Sequence, residues 1–449
     1  MPKHLRTRLA ALTLLSCLAH TAPLHAEEDS APRVLFSGFG TLGLVHTQGD
    51  GASFSRDMGQ VRGATNRGVF WETDSRIGLQ ATLAATENLQ CTAQVISRYR
   101  AENNFAPELS LGFVKYTPTE NIDLRAGRIG YDIFHAGDSR EVGYSYLWVR
   151  PPVEYYAAMA TPSIDGGDIV LHIPIASGVG RLKLYSGLAR NKIPNLFAQT
   201  QWAGNITADL GVMEDLGGSR YTGGLIDYQG TNWTVRLSQS NMKILREIPP
   251  GPFDTLGFLH ATADAQTDTA LANTLNRLAD DISFASKSLK FTSLGVIYEN
   301  GPLRTDMAAY HLRSTSLLFG EVYAGYWMAG YRFGKFTPFV NIAAIKSRKS
   351  HRTDELRGKG VDAATSIADF MLSRADLNRQ SLSLGVRYDW QSNIALKFQM
   401  DALRNRTCTP VSLPFGSTPP CAPPMLLPEV PVNWNGRANV YSAVLDFTF

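Results

Sequence analysis

Ionisable side chains of both signs are interleaved in residues 132–164, a stretch that is also rich in aromatic residues and proline. Its charged residues include Asp138, Arg140, Glu141, Arg150 and Glu154. Carboxylates and guanidinium groups that face each other across a narrow aqueous gap order water and screen small charged or dipolar solutes. The alternative is that each of these side chains is a solvated loop charge. The first interpretation requires a fold that brings a second charged surface opposite this segment.

Residues for bond-breaking chemistry form no recognisable constellation in the sequence. No HExxH, GxSxG, CxxC or GxxxxGK[ST] pattern occurs. The histidines outside the N-terminal segment fall in different parts of the chain, at His46, His135, His172, His260, His311 and His351. We therefore predict no enzymatic activity, no cofactor and no metal site. A hydrolase using His311 or His351 remains an alternative, although neither has a convincing partner at a suitable spacing.

The N-terminal segment predicts export. Three basic residues precede an apolar run at 9–19, and the small residue Ala26 stands before Glu27. This pattern is typical of a signal peptide, 1–26, and the apolar run is too short to cross a bilayer. Lipid attachment at Cys17 is the alternative. The excess of Lys and Arg over Asp and Glu, 43 against 40, equals the three basic residues of this segment, so residues 27–449 are balanced and nucleic acid is not expected as a partner.

In an exported chain, Cys408 and Cys421 predict a disulfide, because they flank a Pro-rich stretch at a loop-like spacing. Two unpaired thiols are the alternative. A metal site is not expected there, because no further ligands lie near the two cysteines.

Period-two alternation is the main structural signal. SLSLGVRYDW (381–390) and IALKFQMDA (394–402) alternate apolar with polar residues and are separated by three residues, QSN. The last ten residues, VYSAVLDFTF, place Tyr441, Leu445, Phe447 and Phe449 on one face. Alternation of this kind predicts β-strands with one apolar face, joined in hairpins.

Connections of two lengths separate these strands. Seven short turns are predicted near 85–88, 118–121, 178–180, 229–232, 300–302, 334–335 and 391–393. Eight longer polar or Gly/Pro-rich stretches interleave with them, which requires sixteen strands. Apolar stripes of about five residues that end in aromatic residues suit the lipid face of a membrane barrel. We therefore predict one all-β unit over 27–449, a transmembrane antiparallel β-barrel of about sixteen strands. Only residues 268–283 have apolar residues at helical spacing. We predict that they form a helix packed on the surface of a loop, and a plug or a partner-binding helix is the alternative.

Three stretches resemble the general porins of Gram-negative outer membranes, which are trimeric sixteen-strand barrels. They are FSGFGTLGL (36–44), which resembles the first strand, LRAGRIG (124–130), which resembles the strand before the constriction loop, and the terminal Phe449, which resembles the signal read by the barrel-assembly machinery. The resemblance implies a homotrimeric, water-filled channel for small hydrophilic solutes, surrounded by outer-membrane lipid. It also implies that the third long loop, about 132–164, folds into the lumen and narrows it.

The wall opposite that loop is expected to be basic. Alternation points Arg76, Arg98 and Arg100 inward. The same alternation turns Arg125 inward and Arg128 outward, whereas the resemblance places Arg128 in the pore. Because an arginine on the lipid face costs about 2–4 kcal/mol at the bilayer midplane, we expect a bulge near Gly127 that returns Arg128 to the lumen.

The role of the aromatic residues in the third long loop distinguishes a substrate-selective channel from a non-selective one. Tyr144, Tyr146 and Trp148 could stack a ring-shaped solute, as in a substrate-selective channel, although packing against the inner wall is the favoured interpretation. A non-selective diffusion channel is the main prediction. A barrel plugged by its loops, with a structural or adhesive role, is the alternative of another class.

Overall fold

The computed structural model describes residues 32–449 except 50–51, 58, 61, 101, 136, 138, 157–160, 176–177, 190–191, 195–198, 203–204, 209–212, 216–217, 248–253, 349–351, 375–376, 407–428 and 432–433. The predicted signal peptide therefore lies outside the described residues. Sixteen strands form a closed barrel. They are β1 (Arg33–Gln48), β2 (Arg76–Ala84), β3 (Leu89–Arg98), β4 (Glu108–Thr119), β5 (Ile122–Gly130), β6 (Ser163–Ile175), β7 (Gly178–Leu188), β8 (Arg220–Gly230), β9 (Trp233–Lys243), β10 (Ser288–Asn300), β11 (Leu303–Ser314), β12 (Glu321–Tyr331), β13 (Phe336–Arg348), β14 (Asn378–Gln391), β15 (Ile394–Asn405) and β16 (Arg437–Thr448).

Each strand pairs antiparallel with its neighbours in this order, and β1 pairs with β16 to close the barrel. Short turns and long connections alternate along the chain, so all long connections lie at one end. The predicted antiparallel barrel of sixteen strands is confirmed. One predicted turn, 178–180, is wrong, because these residues begin β7.

The outer face of the barrel is apolar. Alternate residues of each strand point outward, and they expose large side chains such as Leu42, Ile77, Leu184, Leu237 and Phe398. Aromatic residues collect at the turn end of the strands, at Trp233, Tyr298, Tyr331, Phe336, Trp390 and Phe449. An apolar band with an aromatic girdle is the surface that a bilayer requires of a barrel.

No helix in the described part of the chain is long and apolar enough to cross a membrane.

The seam between the first and last strands depends on two glycines. A Cβ atom on Gly38 would stand 2.3 Å from Cζ of Phe449, and one on Gly40 would stand 2.3 Å from Cζ of Phe447. The amide of Gly38 donates to the carbonyl of Phe449 over 2.8 Å, and the amide of Phe449 donates back over 3.0 Å. The terminal rings therefore pack directly on the β1 backbone, where only glycine leaves room for them.

Helices occur only in connections between strands, among the described residues: α1 (Val153–Tyr156), α2 (Thr255–Asp264), α3 (Thr269–Ile282) and α4 (Asp362–Arg374). The helix predicted at 268–283 is α3, whose N-terminus is capped by Asp268. Its apolar face, including Leu275 and Leu278, is buried in a layer that also contains α2 and the 3₁₀ segment Arg352–Leu356. Helices α1, α2 and α4 were not predicted from the sequence. Further short strands pair with one another in the connections, at Lys192–Pro194, Gln199–Trp202, Asn205–Ala208, Met213–Asp215 and Glu429–Pro431.

We predict that Leu42→Arg lowers the free energy of unfolding in lipid bilayers by about 2–4 kcal/mol, because it places a charge in the middle of the outer apolar band. Gln48→Arg, on the same face of β1 at the loop end, is the control and should cost about 0–1 kcal/mol. Urea unfolding in vesicles measures both. Equal costs at the two positions would contradict the assignment of this face to lipid.

Candidate functional site

The segment between β5 and β6, residues 131–162 (loop 3), contacts inward-facing residues around most of the barrel wall. Its first part meets β7–β9. The Asp132 carboxylate accepts a hydrogen bond from Nζ of Lys183 over 2.5 Å, and Arg236 donates to the carbonyl oxygens of Asp132 and Phe134 over 3.1 and 2.9 Å. Ser238 donates to the carbonyl of Ile133. Charged wall residues thus fix the backbone of loop 3 where it leaves β5.

An aromatic cluster formed by residues near both ends of loop 3 packs against β10–β12. The ring centroids of Phe134 and Phe291 lie 4.8 Å apart with edge-to-face geometry. Tyr155 packs on Tyr310 and Tyr326, with centroid distances of 5.3 and 5.1 Å. Offset and edge-to-face pairs of this kind add to the free energy of burying the rings. This side of the lumen is filled by side chains.

Buried ion pairs join loop 3 to Asp74, which precedes β2, and to β14 and β15, and a hydrogen bond joins it to β16. Arg150 donates to Asp74 over 3.0 and 2.5 Å, to Asp401 over 2.9 Å and to Ser442 over 2.5 Å. The carboxylate of Glu154 lies 2.9 Å from Nε of Arg379. Arg150 and Glu154 are only 2% and 1% exposed. Both therefore act as anchors of the loop.

Lys397 on β15 makes a second anchor at a point of close approach. Its Nζ donates to the carbonyl oxygens of Gly143 and Trp148 over 2.6 and 2.8 Å and lies 2.9 Å from Asp446. A Cβ atom on Gly143 would stand 2.0 Å from Oδ1 of Asp446. Glycine at 143 therefore lets the loop backbone reach the wall.

Glu141 lies in a cluster of arginines on the β2–β3 side. Arg98 donates to its carboxylate over 2.8 Å, and Arg56 and Arg76 lie 3.5 and 3.8 Å away. Burial alone would raise the pKa of Glu141, but the surrounding guanidinium groups, Arg98 first, hold it well below its usual range. Arg140 lies 3.7 Å from the same carboxylate. Glu141 is thus ionised at any physiological pH.

The structure places some of the sequence-predicted charges together and separates others. Arg76 and Arg98 point inward and meet Glu141, whereas Arg100 lies at the mouth between Glu102 and Glu108. The prediction of a gap between opposed charges does not hold at Glu141, because acid and base touch there. Arg150 and Glu154 were predicted to line the constriction, and that prediction is wrong because both are buried in contacts with the wall.

The aromatic residues proposed for stacking a solute are used for packing. Tyr146 and Trp148 are 3% and 1% exposed. Tyr144 keeps partial exposure, but its ring lies 4.5 Å from the guanidinium carbon of Arg387 and its hydroxyl donates to the carbonyl of Ser392. Tyr146 and Trp148 thus pack against the inner wall, which was the favoured interpretation, and the alternative of solute stacking is wrong for these two residues.

Arg128 lies on the outer face of the barrel, so the prediction that it points into the lumen is wrong. Gly127 has φ +128, but residues on both sides keep an unbroken register with β6. Arg125 bonds the inward-facing Asp168 over 2.8 Å, and Ile129 is fully buried, so strict alternation turns Arg128 outward. The ion pair with Asp165, at 2.7 Å, is what makes this position tolerable.

Asp138 and the predicted disulfide partners Cys408 and Cys421 lie outside the described residues, so both predictions stand as made. The described residues contain no group of three or more side chains that could hold a metal ion. The wall partners of loop 3, chiefly Lys183, Arg236 and Lys397, were not predicted from the sequence. Their signal was a charged residue at an inward position in the middle of an apolar strand.

Solved structures with the same fold are outer-membrane proteins. The outer membrane channel DcaP of Acinetobacter baumannii aligns with a TM-score of 0.51 and 9% identity over 95% of this chain and 100% of that chain. An anion-selective porin from Comamonas acidovorans aligns with a TM-score of 0.50 and 11% identity, over 93% of this chain and 100% of that one. OmpT, an outer membrane protein of Vibrio cholerae, aligns with a TM-score of 0.50 and 11% identity over 94% of this chain and 99% of that chain. No protein-family model and no curated protein sequence matches the chain. At these identities the similarity shows the fold.

We predict that Arg150→Met lowers the free energy of unfolding by about 3–5 kcal/mol, because it leaves the buried carboxylates of Asp74 and Asp401 without their cation. Arg100→Met is the control, since the ion pairs of Arg100 at the mouth are solvated and are worth about 0–1 kcal/mol. Urea unfolding followed by tryptophan fluorescence measures the difference. A loss below 1 kcal/mol at Arg150 would show that the pairs with Asp74 and Asp401 do not anchor the loop.

We also predict that His135 weakens the fold in acid. Burial, assisted by Arg236, lowers the pKa of His135 from 6.5 to about 4, although Asp306 lies 3.7 Å from Nε2 and Asp227 is also near. Protonation of His135 is less favourable in the folded protein than in the unfolded chain. The contribution of His135 to the free energy of unfolding is therefore fully present above pH 6.5 and falls by up to about 3 kcal/mol as the pH drops to 4.

His135→Asn should remove that part of the pH dependence. Unfolding free energies of both proteins at pH 7.5 and pH 4 provide the measurement. The same loss of stability in the wild type and in His135→Asn would contradict the prediction.

Proposed function

We propose that the protein is an outer-membrane channel through which small hydrophilic solutes and ions diffuse passively. An asymmetry of the lumen carries the proposal. At the depth of loop 3, polar inward-facing residues of β8–β16 are buried, as at Ser240, Ser293, Asn341, Ser383 and Gln399. The inward-facing residues of β2–β5 instead keep partial exposure, as at Gln80, Thr82, Thr92, Gln94 and Lys115. A narrow aqueous passage fits this distribution. At the depth of loop 3 it runs along β2–β5, because Asp168 and Lys183 are buried there, and it includes the wall of β6–β7 nearer the turns, where His172 and Arg181 keep partial exposure.

The charges along that wall favour anions. The described ion pairs on that side of the lumen contain seven cations that keep partial exposure, Arg56, Arg98, Arg100, Lys115, Arg125, Arg140 and Arg181, and five such carboxylates, Asp57, Glu102, Glu108, Asp123 and Glu141. A passage with an excess of positive charge raises the local concentration of anions. Among the described aromatic residues of loop 3 only Tyr144 keeps partial exposure, and its ring already packs on the guanidinium group of Arg387. We therefore favour a diffusion channel over a substrate-selective one.

A plugged barrel with a structural or adhesive role is the second candidate. It is favoured by the same burial of the β8–β16 wall, which leaves much of the lumen filled. A hydrolase is not favoured: His311 bonds Glu321 over 2.8 Å on the outer face of the rim, and His351 lies outside the described residues. Ion conductance separates the channel from the plugged barrel.

Accessibility of single cysteines tests where the passage runs. In a background with Cys91, Cys408 and Cys421 replaced by Ala, Gln94→Cys should react with a charged, water-soluble thiol reagent and lose conductance in planar bilayers. Ser383→Cys is the matched control: it also points inward but is buried beneath loop 3. We expect modification of Gln94→Cys to reduce the conductance several-fold more than the same treatment of Ser383→Cys.

Absence of ion conductance from properly folded protein would contradict the channel and favour the plugged barrel. Equal block at both positions would contradict a passage confined to β2–β7. Under a salt gradient, the reversal potential should show anion preference. Openings that close in three equal steps would support the homotrimer expected from the porin resemblance.

A further inference from the structure

A groove of about 650 Å³ opens on the outer face of β12–β15. Its floor consists of small residues, Gly325, Ala344 and Ala402, and its sides are formed by Trp327, Ile342 and Leu382. The three larger side chains are exposed by 40–49%. Apart from Gln380 and Arg404, the outward-facing residues that line the depression are apolar, and it extends across four strands and is open to whatever surrounds the barrel.

The end of the groove toward the long loops is positively charged. Arg404 lines the groove, and Arg437 stands directly opposite it in the β15–β16 pair. Both side chains are exposed on the outer face, as is Lys346 on β13. Like charges directly opposite each other in a β-ladder destabilise it. The arrangement is unfavourable unless an anion lies between the two guanidinium groups.

No carboxylate whose side chain the structure describes supplies that anion. In the described part of the chain no ion pair joins Arg404 or Arg437 to a carboxylate, and residues 407–428 contain no Asp or Glu. The nearby cations Arg313 and Arg348 differ, because they share Glu321 at 3.2 and 3.4 Å. The uncompensated positive charge is thus concentrated where the apolar groove ends.

We propose that the groove binds a phosphorylated glycolipid of the outer leaflet, with an acyl chain between Trp327 and Leu382 and a phosphate across Arg404 and Arg437. Charge-assisted hydrogen bonds to phosphate are the strong contacts that such an arginine pair makes. A second copy docked by a two-fold axis would bring these arginines toward like charges, and a contact within the expected homotrimer would join this face to a different one, which the oligomeric state of the variants below distinguishes. The proposal rests on the outer-membrane location in the proposed function, but not on conduction.

Binding of diphosphoryl lipid A to the full-length barrel in detergent tests the proposal, measured by native mass spectrometry. The double variant Arg404→Gln/Arg437→Gln should weaken binding about tenfold or more. Lys243→Gln/Lys290→Gln is the control, because it removes two exposed cations from the outer face of β9 and β10. Ala344→Trp, which fills the groove, should weaken binding of both diphosphoryl and dephosphorylated lipid A.

Equal losses in the two double variants, or no loss in either, would overturn the proposal. Full competition by inorganic phosphate with no effect of Ala344→Trp would show a headgroup site without a chain, which also overturns it. A change of oligomeric state in Ala344→Trp without a change in lipid binding would assign the groove to a second copy. Conductance is recorded separately. A barrel that binds lipid A but conducts no ions would therefore contradict the proposed channel function and leave the proposed lipid site standing.

Discussion

The buried charges that tie loop 3 to the wall are the constraint on which the lumen depends. An ion that is removed from water loses several kcal/mol of hydration free energy, and only attraction to a close partner of opposite charge offsets that loss. Arg150 meets this condition with Asp74 and Asp401, and Lys397 meets it with Asp446 and two backbone carbonyls. A loop held in this way cannot move without exposing or orphaning charges. It is therefore a fixed part of the barrel interior.

Two kinds of contact divide the interior around this loop. Toward β10–β12 the aromatic cluster packs without space for solutes, whereas toward β13–β16 the contacts are ionic and equally closed. At the depth of loop 3, charged and amide side chains of the described wall keep partial exposure toward β2–β5. The channel that we propose is consequently eccentric, and its charge is determined by one wall and by the arginines around Glu141.

The fold was predictable because its signals are local and repeated. Period-two alternation at 381–402, together with alternating short and long connections, predicts strand number and topology without any tertiary information. The site was only partly predictable. Inward arginines at 76 and 98 follow from alternation, but the burial of Arg150, Glu154 and Trp148 depends on the path of an aperiodic loop. At Arg128 alternation was the better guide, because the cross-strand partner Asp165 makes an outward arginine acceptable.

Arg150 also bears on the order in which the protein acquires its structure. Its guanidinium group joins Asp74, 76 residues earlier in the chain, to Ser442, 292 residues later. Contacts of such large sequence separation form late, because the entropy of closing the intervening chain must be overcome first. Loop 3 can thus reach its final position only after β16 has arrived, and the narrowing of the lumen is a product of barrel closure. An incompletely assembled barrel would hold this segment loose in a wide interior.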